Sequence, residues 1–283
     1  MKFNPDNLGN RQKRGEAHSN ILEGAANVDP VEIHHNYTWL DSPLDNEGPA
    51  SCAGYSMFNT FHNTLPHPAD GQEKSMRAYI ESVLHERAGK ANGIEFGGIG
   101  VQLFGDFSDG FFARTAGVTL ADERYTNKGH PMFEEYMDLQ PKSHRVFEGD
   151  MFDGATYEYL EEYFRNEKVD FIIERLGKGT EHTSKDPYEV ARLVSKWYSL
   201  LNEGGVMFLQ VPVVFRHLLY AWSNKMKGVG IENTPVLGGI KRDAQADETA
   251  CSIRIRKVKG SPEELPLLSP QEVHALYKAE GRL

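Results

Sequence analysis

The chain has 283 residues, 39% of them hydrophobic and 25% charged, which is the composition of an ordinary folded protein. Its net charge of −10 opposes binding to phosphate backbones and predicts that nucleic acid is an unlikely partner. The sequence has no run of roughly 18 apolar residues, no apolar export signal at its polar start and no cysteine spacing typical of metal sites, so we expect a cytoplasmic protein without membrane contacts.

Residues 1–92 precede the regular part of the chain and form a predicted N-terminal extension. Residues 1–35 are rich in Asn, Asp, Gly and charged side chains, which predicts little regular structure. Residues 36–70 combine aromatic side chains and histidines with Pro and Gly, and we expect them to form a lid-like cover over a cofactor and substrate. Residues 72–90 carry apolar side chains at helical spacing, which predicts an amphipathic helix that ends near Gly89.

From residue 93 onward, short apolar segments alternate with helical segments. The predicted strands span 93–98, 117–122, 144–150, 169–175 and 206–215, and the predicted helices between them span 154–166 and 186–202. This alternation predicts an α/β fold with a mostly parallel sheet and helices on both faces.

The C-terminal part has a different pattern. Residues 228–249 are rich in Gly and Asp and predict a long hairpin loop. Residues 251–258 alternate apolar with basic side chains, which predicts an edge or antiparallel strand with one solvent-exposed face. Ser269 begins a predicted short terminal helix. We therefore expect a core over residues 93–260 and a tail over residues 261–283.

Glycines follow the first predicted strand in Glu95-Phe96-Gly97-Gly98-Ile99-Gly100. Glycine allows a sharp turn and a close approach of the backbone to a ligand. A tight connection between a strand and a helix explains the same pattern equally well. The G-x-G-x-x-G pattern typical of dinucleotide sites is absent.

Acidic residues follow the next three predicted strands. Asp122 ends the second strand, where an acid can accept hydrogen bonds from ribose hydroxyls, although it could instead cap a helix. Asp150 and Met151 follow the third strand, where they could contact the amine and the flat face of a base. Glu174 ends the fourth strand, at the edge where ligands bind in open α/β sheets, although it could instead pair with Arg175.

Taken in this order, the four segments resemble the class I S-adenosylmethionine-dependent methyltransferases. In that family the first strand ends in acid-x-Gly-x-Gly-x-Gly. Glu95 and Gly97 match this motif, whereas Ile99 and Val101 stand where glycines are usual. Residues 201–205, Leu-Asn-Glu-Gly-Gly, are similar to the Leu-x-x-Gly-Gly end of the helix that precedes the family's fifth strand.

The resemblance, which covers about residues 93–258, implies a Rossmann-like, mostly parallel seven-stranded sheet with an antiparallel C-terminal strand. It implies S-adenosylmethionine as the cofactor and methyl transfer as the reaction. Because the acidic composition disfavours nucleic acid, we expect the acceptor to be a small molecule, or alternatively a protein. The cofactor-binding residues that it implies are Glu95, Gly97, Gly98, Gly100, Asp122, Asp150, Met151 and Glu174.

The catalytic candidates are His182 and Glu174, which could act as a general base near the ends of the sheet. A single histidine is more often a structural or surface residue, so the alternative for His182 is a role without catalysis. No set of side chains has convincing metal-ligand spacing, and we predict no metal. A nicotinamide-dependent oxidoreductase and a non-catalytic binding protein on the same fold are the alternative functions.

Overall fold

The computed structural model describes residues 61–68, 74–98, 100–119, 143–149, 151–174, 187–211, 217–239 and 249–279. The described strands are β1 (Ala91–Phe96), β2 (Phe112–Thr119), β3 (His144–Glu148), β4 (Val169–Glu174), β5 (Leu201–Val211), β6 (Glu232–Gly239) and β7 (Thr249–Arg256). The described α-helices are α1 (Met76–Val83), α2 (Val101–Gly105), α3 (Gly154–Tyr163), α4 (Pro187–Ser199), α5 (Leu219–Gly228) and α6 (Pro270–Ala279).

These strands form one seven-stranded sheet in the order β3-β2-β1-β4-β5-β7-β6. The first five strands of the chain pair in parallel, and β7 is antiparallel to both β5 and β6. The predicted α/β fold with an antiparallel C-terminal strand is confirmed. Because the chain builds outward from β1 to β3 and then returns to β4, the strand order reverses between β1 and β4, which is where open α/β sheets bind ligands.

The two faces of the sheet pack against different helices. Ile94 and Phe96 of β1 lie in an apolar cluster with residues of α3 and α4, and the Phe96 ring stacks on Trp197 with centroids 4.7 Å apart. Side chains alternate along a strand, so Gly93 and Glu95 face the opposite side. There the ring of Phe104 from α2 occupies the space beside Gly93, only 2.5 Å from the position of an added Cβ.

The predicted N-terminal helix is shorter than expected. It begins after Ser75, whose side chain accepts a hydrogen bond from the Ala78 amide, and a 3-10 turn at His85–Arg87 follows it before Gly89. Its buried residues Met76 and Ile80 pack in the apolar cluster that contains Phe171 and Phe208 of the sheet. Residues 1–60 lie outside the described residues, and the division of the chain at residue 92 stays a prediction.

Residues 201–205 begin a strand, which corrects their assignment to the end of a helix. The helix α4 already ends at Ser199, and Leu201 pairs with Val169 of β4. Gly204 has a φ of +88°, a conformation that favours glycine, and an added Cβ at Gly205 would lie 2.9 Å from the Asn202 carbonyl oxygen. The two glycines therefore permit an irregular backbone near the start of β5. The strand begins five residues earlier than predicted.

The region from 228 to 249 is also corrected, because β6 occupies Glu232–Gly239 where a loop was expected. The strand β7 lies between β5 and β6 and is not an edge strand. Its basic side chain Arg254 is buried and donates hydrogen bonds to the hydroxyls of Tyr79 and Thr234. Alternating charge therefore does not mark a solvent-exposed face here, because the charged residue finds polar partners inside.

The terminal helix α6 is confirmed. The Ser269 hydroxyl accepts a hydrogen bond from the Glu272 amide at 3.2 Å, and the Glu272 carboxylate accepts one from the Ser269 amide at 2.7 Å. This reciprocal pair satisfies two donors at the start of the helix. None of the helices in the described part of the chain is long and apolar enough to cross a membrane.

Candidate functional site

The glycine loop leaves β1 in a backbone conformation that requires glycine at two positions. Gly97 has a φ of +82° and Gly100 a φ of +73°. The Gly97 amide donates a hydrogen bond to the Val118 carbonyl at 2.8 Å, and Gly98 forms an isolated bridge with the same residue. Side chains with a Cβ are strained at such angles, so the chain turns over the end of β1 at low cost only with these glycines.

The fully buried carboxylate of Glu95 fills the space beneath this loop. An added Cβ at Gly98 would lie 2.4 Å from Glu95 Oε1, and one at Gly100 would lie 3.2 Å from Glu95 Oε2. The lack of side chains at Gly98 and Gly100 therefore lets the loop pack closely on the carboxylate. This close packing uses glycines 97, 98 and 100, whereas the family motif has them at the positions of Gly97, Ile99 and Val101.

A buried histidine of β3 supports the same loop, and no pattern in the sequence predicts this role. The Nδ1 atom of His144 lies 2.8 Å from the hydroxyl oxygen of Thr115, and its Cε1 atom lies 3.2 Å from the position of an added Cβ at Gly100. The contact joins residues 44 positions apart in the chain, so no local pattern could reveal it. His144 therefore belongs to the packing around the glycine loop.

Glu174 ends β4, the strand next to β1. It pairs in register with Phe96 on one side and Leu209 on the other, and it is buried. Neither carboxyl oxygen has a hydrogen-bond partner within the described residues. Burial and the nearby Glu95 carboxylate raise the pKa of Glu174 well above the ordinary value, and the backbone amide of Gln210 opposes this with a smaller effect.

The segment after β3 is held by a hydrogen bond to its own backbone. The Tyr157 hydroxyl donates to the Met151 carbonyl at 2.6 Å, and the Asp153 carboxylate caps α3 by accepting from the Ala155 amide at 3.1 Å. Met151 is buried, whereas the side chain of the neighbouring Phe152 is 40% exposed. The segment therefore has a fixed backbone and presents an aromatic ring beside it.

The structure thus brings some of the predicted site residues together and leaves others untested. Glu95, Gly97, Gly98 and Gly100 form one packed unit at the end of β1, Glu174 lies one strand away, and Met151 lies beyond β2 on the other side. Asp122, Asp150 and His182 lie outside the described residues. Within the described ranges, no group of three or more His, Cys, Asp or Glu side chains could hold a metal ion.

The sheet order, the antiparallel β7 and the glycine loop after β1 define a Rossmann-like fold of the type found in class I methyltransferases. The resemblance seen in the sequence is therefore confirmed at the level of the fold. No protein-family model matches the sequence, and no curated protein matches it.

Several solved methyltransferase structures are similar in fold. One is an rRNA methylase from Streptococcus thermophilus, 13% identical over 67% of this chain and 100% of that chain, with a TM-score of 0.43. Another is an O-methyltransferase from Bacillus cereus in complex with SAH, 14% identical over 67% of this chain and 84% of that chain, with a TM-score of 0.40. A third is a tRNA methyltransferase from Aquifex aeolicus, 14% identical over 69% of this chain and 74% of that chain, with a TM-score of 0.37.

The prediction that nucleic acid is an unlikely partner is corrected by these comparisons, because an rRNA methylase and a tRNA methyltransferase are among the similar structures. The physical reason is that net charge sums over the whole surface. Binding to a phosphate backbone needs only a local positive patch, which an acidic protein can carry. A net charge of −10 therefore does not exclude a nucleic-acid acceptor.

Proposed function

We propose that the protein is an S-adenosylmethionine-dependent methyltransferase. The observation that carries this proposal is the glycine loop packed on the buried Glu95 carboxylate at the point where the strand order reverses. That edge of the sheet is where folds of this class bind their ligands. A loop without side chains at Gly98 and Gly100 lets a ligand approach the backbone closely.

The described residues at this edge, together with two acids expected from the sequence alone, suit the chemical groups of the cofactor. The backbone of Gly97, Gly98 and Gly100 would face its amino-acid part, and Asp122 would accept hydrogen bonds from its ribose hydroxyls. Asp150 would accept from the exocyclic amine of adenine, with Met151 beside the base. Glu174 is a buried carboxyl group without a hydrogen-bond partner in the described part of the chain, and it suits the positively charged part of the cofactor.

When bound, S-adenosylmethionine supplies a methyl group on a sulfonium centre that is open to in-line displacement. The contribution of the protein is then alignment, because holding two reactants in the correct geometry removes a large part of the barrier. His182 is the proposed general base for an acceptor that must lose a proton. Glu174 is the second candidate for this role, but its raised pKa means that it keeps its proton to higher pH than an ordinary glutamate.

We further propose that the methyl acceptor is a small molecule or a protein. Transfer of a labelled methyl group tests it directly, with small molecules, proteins and RNA from a cell extract offered as separate fractions. Label that appears in the small-molecule or protein fraction supports the proposed acceptor. Label that appears only in RNA contradicts it and leaves the methyltransferase assignment intact.

Calorimetric titration with S-adenosylmethionine, and separately with its demethylated product, tests the cofactor assignment. We expect both to bind, and we expect Glu95→Ala and Asp122→Ala to weaken binding in proteins that remain folded. Glu203→Ala is the matched control. Glu203 is exposed and lies near the amino end of β5, whereas the glycine loop lies at the edge formed by the carboxyl ends of the strands.

Two outcomes would contradict the cofactor assignment. A folded protein that binds neither compound but is stabilised by a nicotinamide cofactor would be an oxidoreductase of related architecture. A folded protein that binds neither compound and no nicotinamide cofactor would be a binding protein that uses this fold without the chemistry.

A further inference from the structure

Glu174 occupies an unusual position for an ionisable side chain. It ends β4, and its exposed fraction is only 1%. Its partners in the neighbouring strands are Phe96 of β1 and Leu209 of β5, which are both apolar and buried. A carboxyl group in such surroundings loses its hydration and gains no hydrogen bond from these two side chains.

The Glu174 carboxyl group also lacks the compensation that buried carboxyl groups normally have. Neither of its oxygens has a hydrogen-bond partner among the described residues. Buried polar side chains are nearly always paired, and an exception points to a function or to a missing ligand. A group that donates hydrogen bonds or carries positive charge would favour the ionised form of Glu174, because an ionised carboxylate can only accept.

The electrostatic surroundings favour a cation. The charged group that acts on Glu174 from within the described residues is the Glu95 carboxylate on β1, while β5 contributes the backbone amide of Gln210. Two carboxyl groups near the same edge of the sheet repel each other when both are ionised. A positively charged ligand removes this repulsion, whereas a neutral or anionic ligand does not.

We propose that Glu174 is the receptor for a positive charge on the bound ligand, and that a cationic ligand displaces one proton from its carboxyl group to solvent. The ligand class is an organic cation with a sulfonium centre. In the exchange, a neutral carboxyl group and a cation become an ion pair, and the released proton passes to the buffer. The identity of the ligand as S-adenosylmethionine rests on the proposed function.

The two forms of the cofactor provide an internal comparison. S-adenosylmethionine carries a sulfonium charge, and its demethylated product has a neutral thioether in the same place. Both carry the same amino and carboxylate groups. A receptor that responds to the sulfonium charge must therefore release more protons with the methylated form than with the product.

Calorimetric titration of the full chain at a series of pH values above 4.5, in buffers with different enthalpies of ionisation, counts the protons released on binding. For S-adenosylmethionine we expect release of up to about one proton per chain, and a smaller release for the product. In Glu174→Gln the difference between the two ligands disappears. Glu203→Gln, a change at an exposed position near the amino end of β5, keeps it.

Equal proton release with both ligands, or an unchanged difference in Glu174→Gln, would overturn the proposal while leaving the cofactor assignment intact. If neither ligand binds, the proposed function fails. The role of Glu174 as a receptor for positive charge is then tested on the full chain with trimethylsulfonium chloride as the probe. Thermal stabilisation of the unsubstituted protein by this cation that is lost in Glu174→Gln would support the receptor. Equal stabilisation of both proteins, or of neither, would overturn it.

Discussion

A carboxylic acid is buried near each end of β4, and the two acids differ in their hydrogen-bond partners. Asp170, near the start of the strand, and Glu174, at its end, are both 1% exposed. Asp170 accepts hydrogen bonds from Arg87 at 3.0 Å, from the Asn92 amide at 2.8 Å and from the Asn202 side chain at 2.9 Å. Glu174 has no such partner within the described residues.

This difference separates an acid with a structural role from the acid that we propose to bind the ligand. The partners of Asp170 come from β1, from β5 and from the turn before β1, so its charge ties the amino ends of three strands together. At the carboxyl ends the fold instead gives the Glu174 carboxyl group no side-chain partner among the described residues and places glycines beside Glu95. Burial by itself therefore does not distinguish the two roles, whereas the number of partners does.

The largest expected effect of a substitution is at the structural end. Asp170→Ala removes the acceptor for three sets of donors, and we expect the free energy of unfolding to fall by about 3 kcal/mol. Urea titration measures this loss. Asp109→Ala, at an exposed position, is the control and should change little. If Asp170→Ala lowered the free energy of unfolding as little as Asp109→Ala does, the hydrogen bonds of Asp170 would not stabilise the fold and the difference between the two ends of β4 would have no structural meaning.

The second effect separates the packing of the glycine loop from its backbone conformation. Gly100 and Gly110 both have a positive φ, of +73° and +71°, but an added Cβ meets neighbours within 4 Å only at Gly100. Gly110→Ala should lower stability by about 1–2 kcal/mol, and Gly100→Ala should lower it further, because the added Cβ would also crowd Phe104, Glu95 and His144. Only Gly100→Ala should also weaken the binding of S-adenosylmethionine, by roughly tenfold or more. Calorimetry that finds equal affinities in the two variants would show that the loop does not shape the site.

The third effect is the pH dependence of stability caused by Glu174. Its pKa is raised in the folded state, so its contribution to stability is present below the ordinary pKa of about 4.5 and is lost as the pH rises toward the folded-state value. We expect Glu174→Gln to remove this loss, which has a slope of up to about 1.4 kcal/mol per pH unit. Urea titrations at several pH values measure it. Identical slopes in both proteins would mean that Glu174 does not titrate as proposed.

The smallest effect concerns an acid outside the sheet and has the opposite sign. Hydrogen bonds from Lys225, followed by those from Ser269, lower the pKa of Glu272 to about 2. Its contribution is present above about pH 4.5 and is lost as the pH falls toward 2. Because Glu272 is partly exposed, we expect Glu272→Gln to reduce stability slightly at neutral pH and not at all at the acidic limit. A thermal shift of equal size at both pH values would contradict this.

The parts of the fold that could be predicted from the sequence are those with a strong local signal. The buried strand over residues 169–174 and the helix over residues 187–199 have long apolar or amphipathic patterns, and their bounds differ from the prediction by only a few residues. The strand at residues 232–239 was missed because it contains Pro235 and ends in glycines. Its pairing with β7 along its full length outweighs that weak local preference.

The sequence by itself determined the alternation of strands and helices, the glycine turn after Glu95 and the position of an acid at the end of the fourth strand. Only the tertiary structure decided that His144 packs beside Gly100, that Arg254 is buried and that Asp170 has partners where Glu174 has none. The physical reason is that local patterns report the backbone preference and average burial of a segment. Hydrogen-bond partners and close contacts depend on which distant residues the sheet brings together.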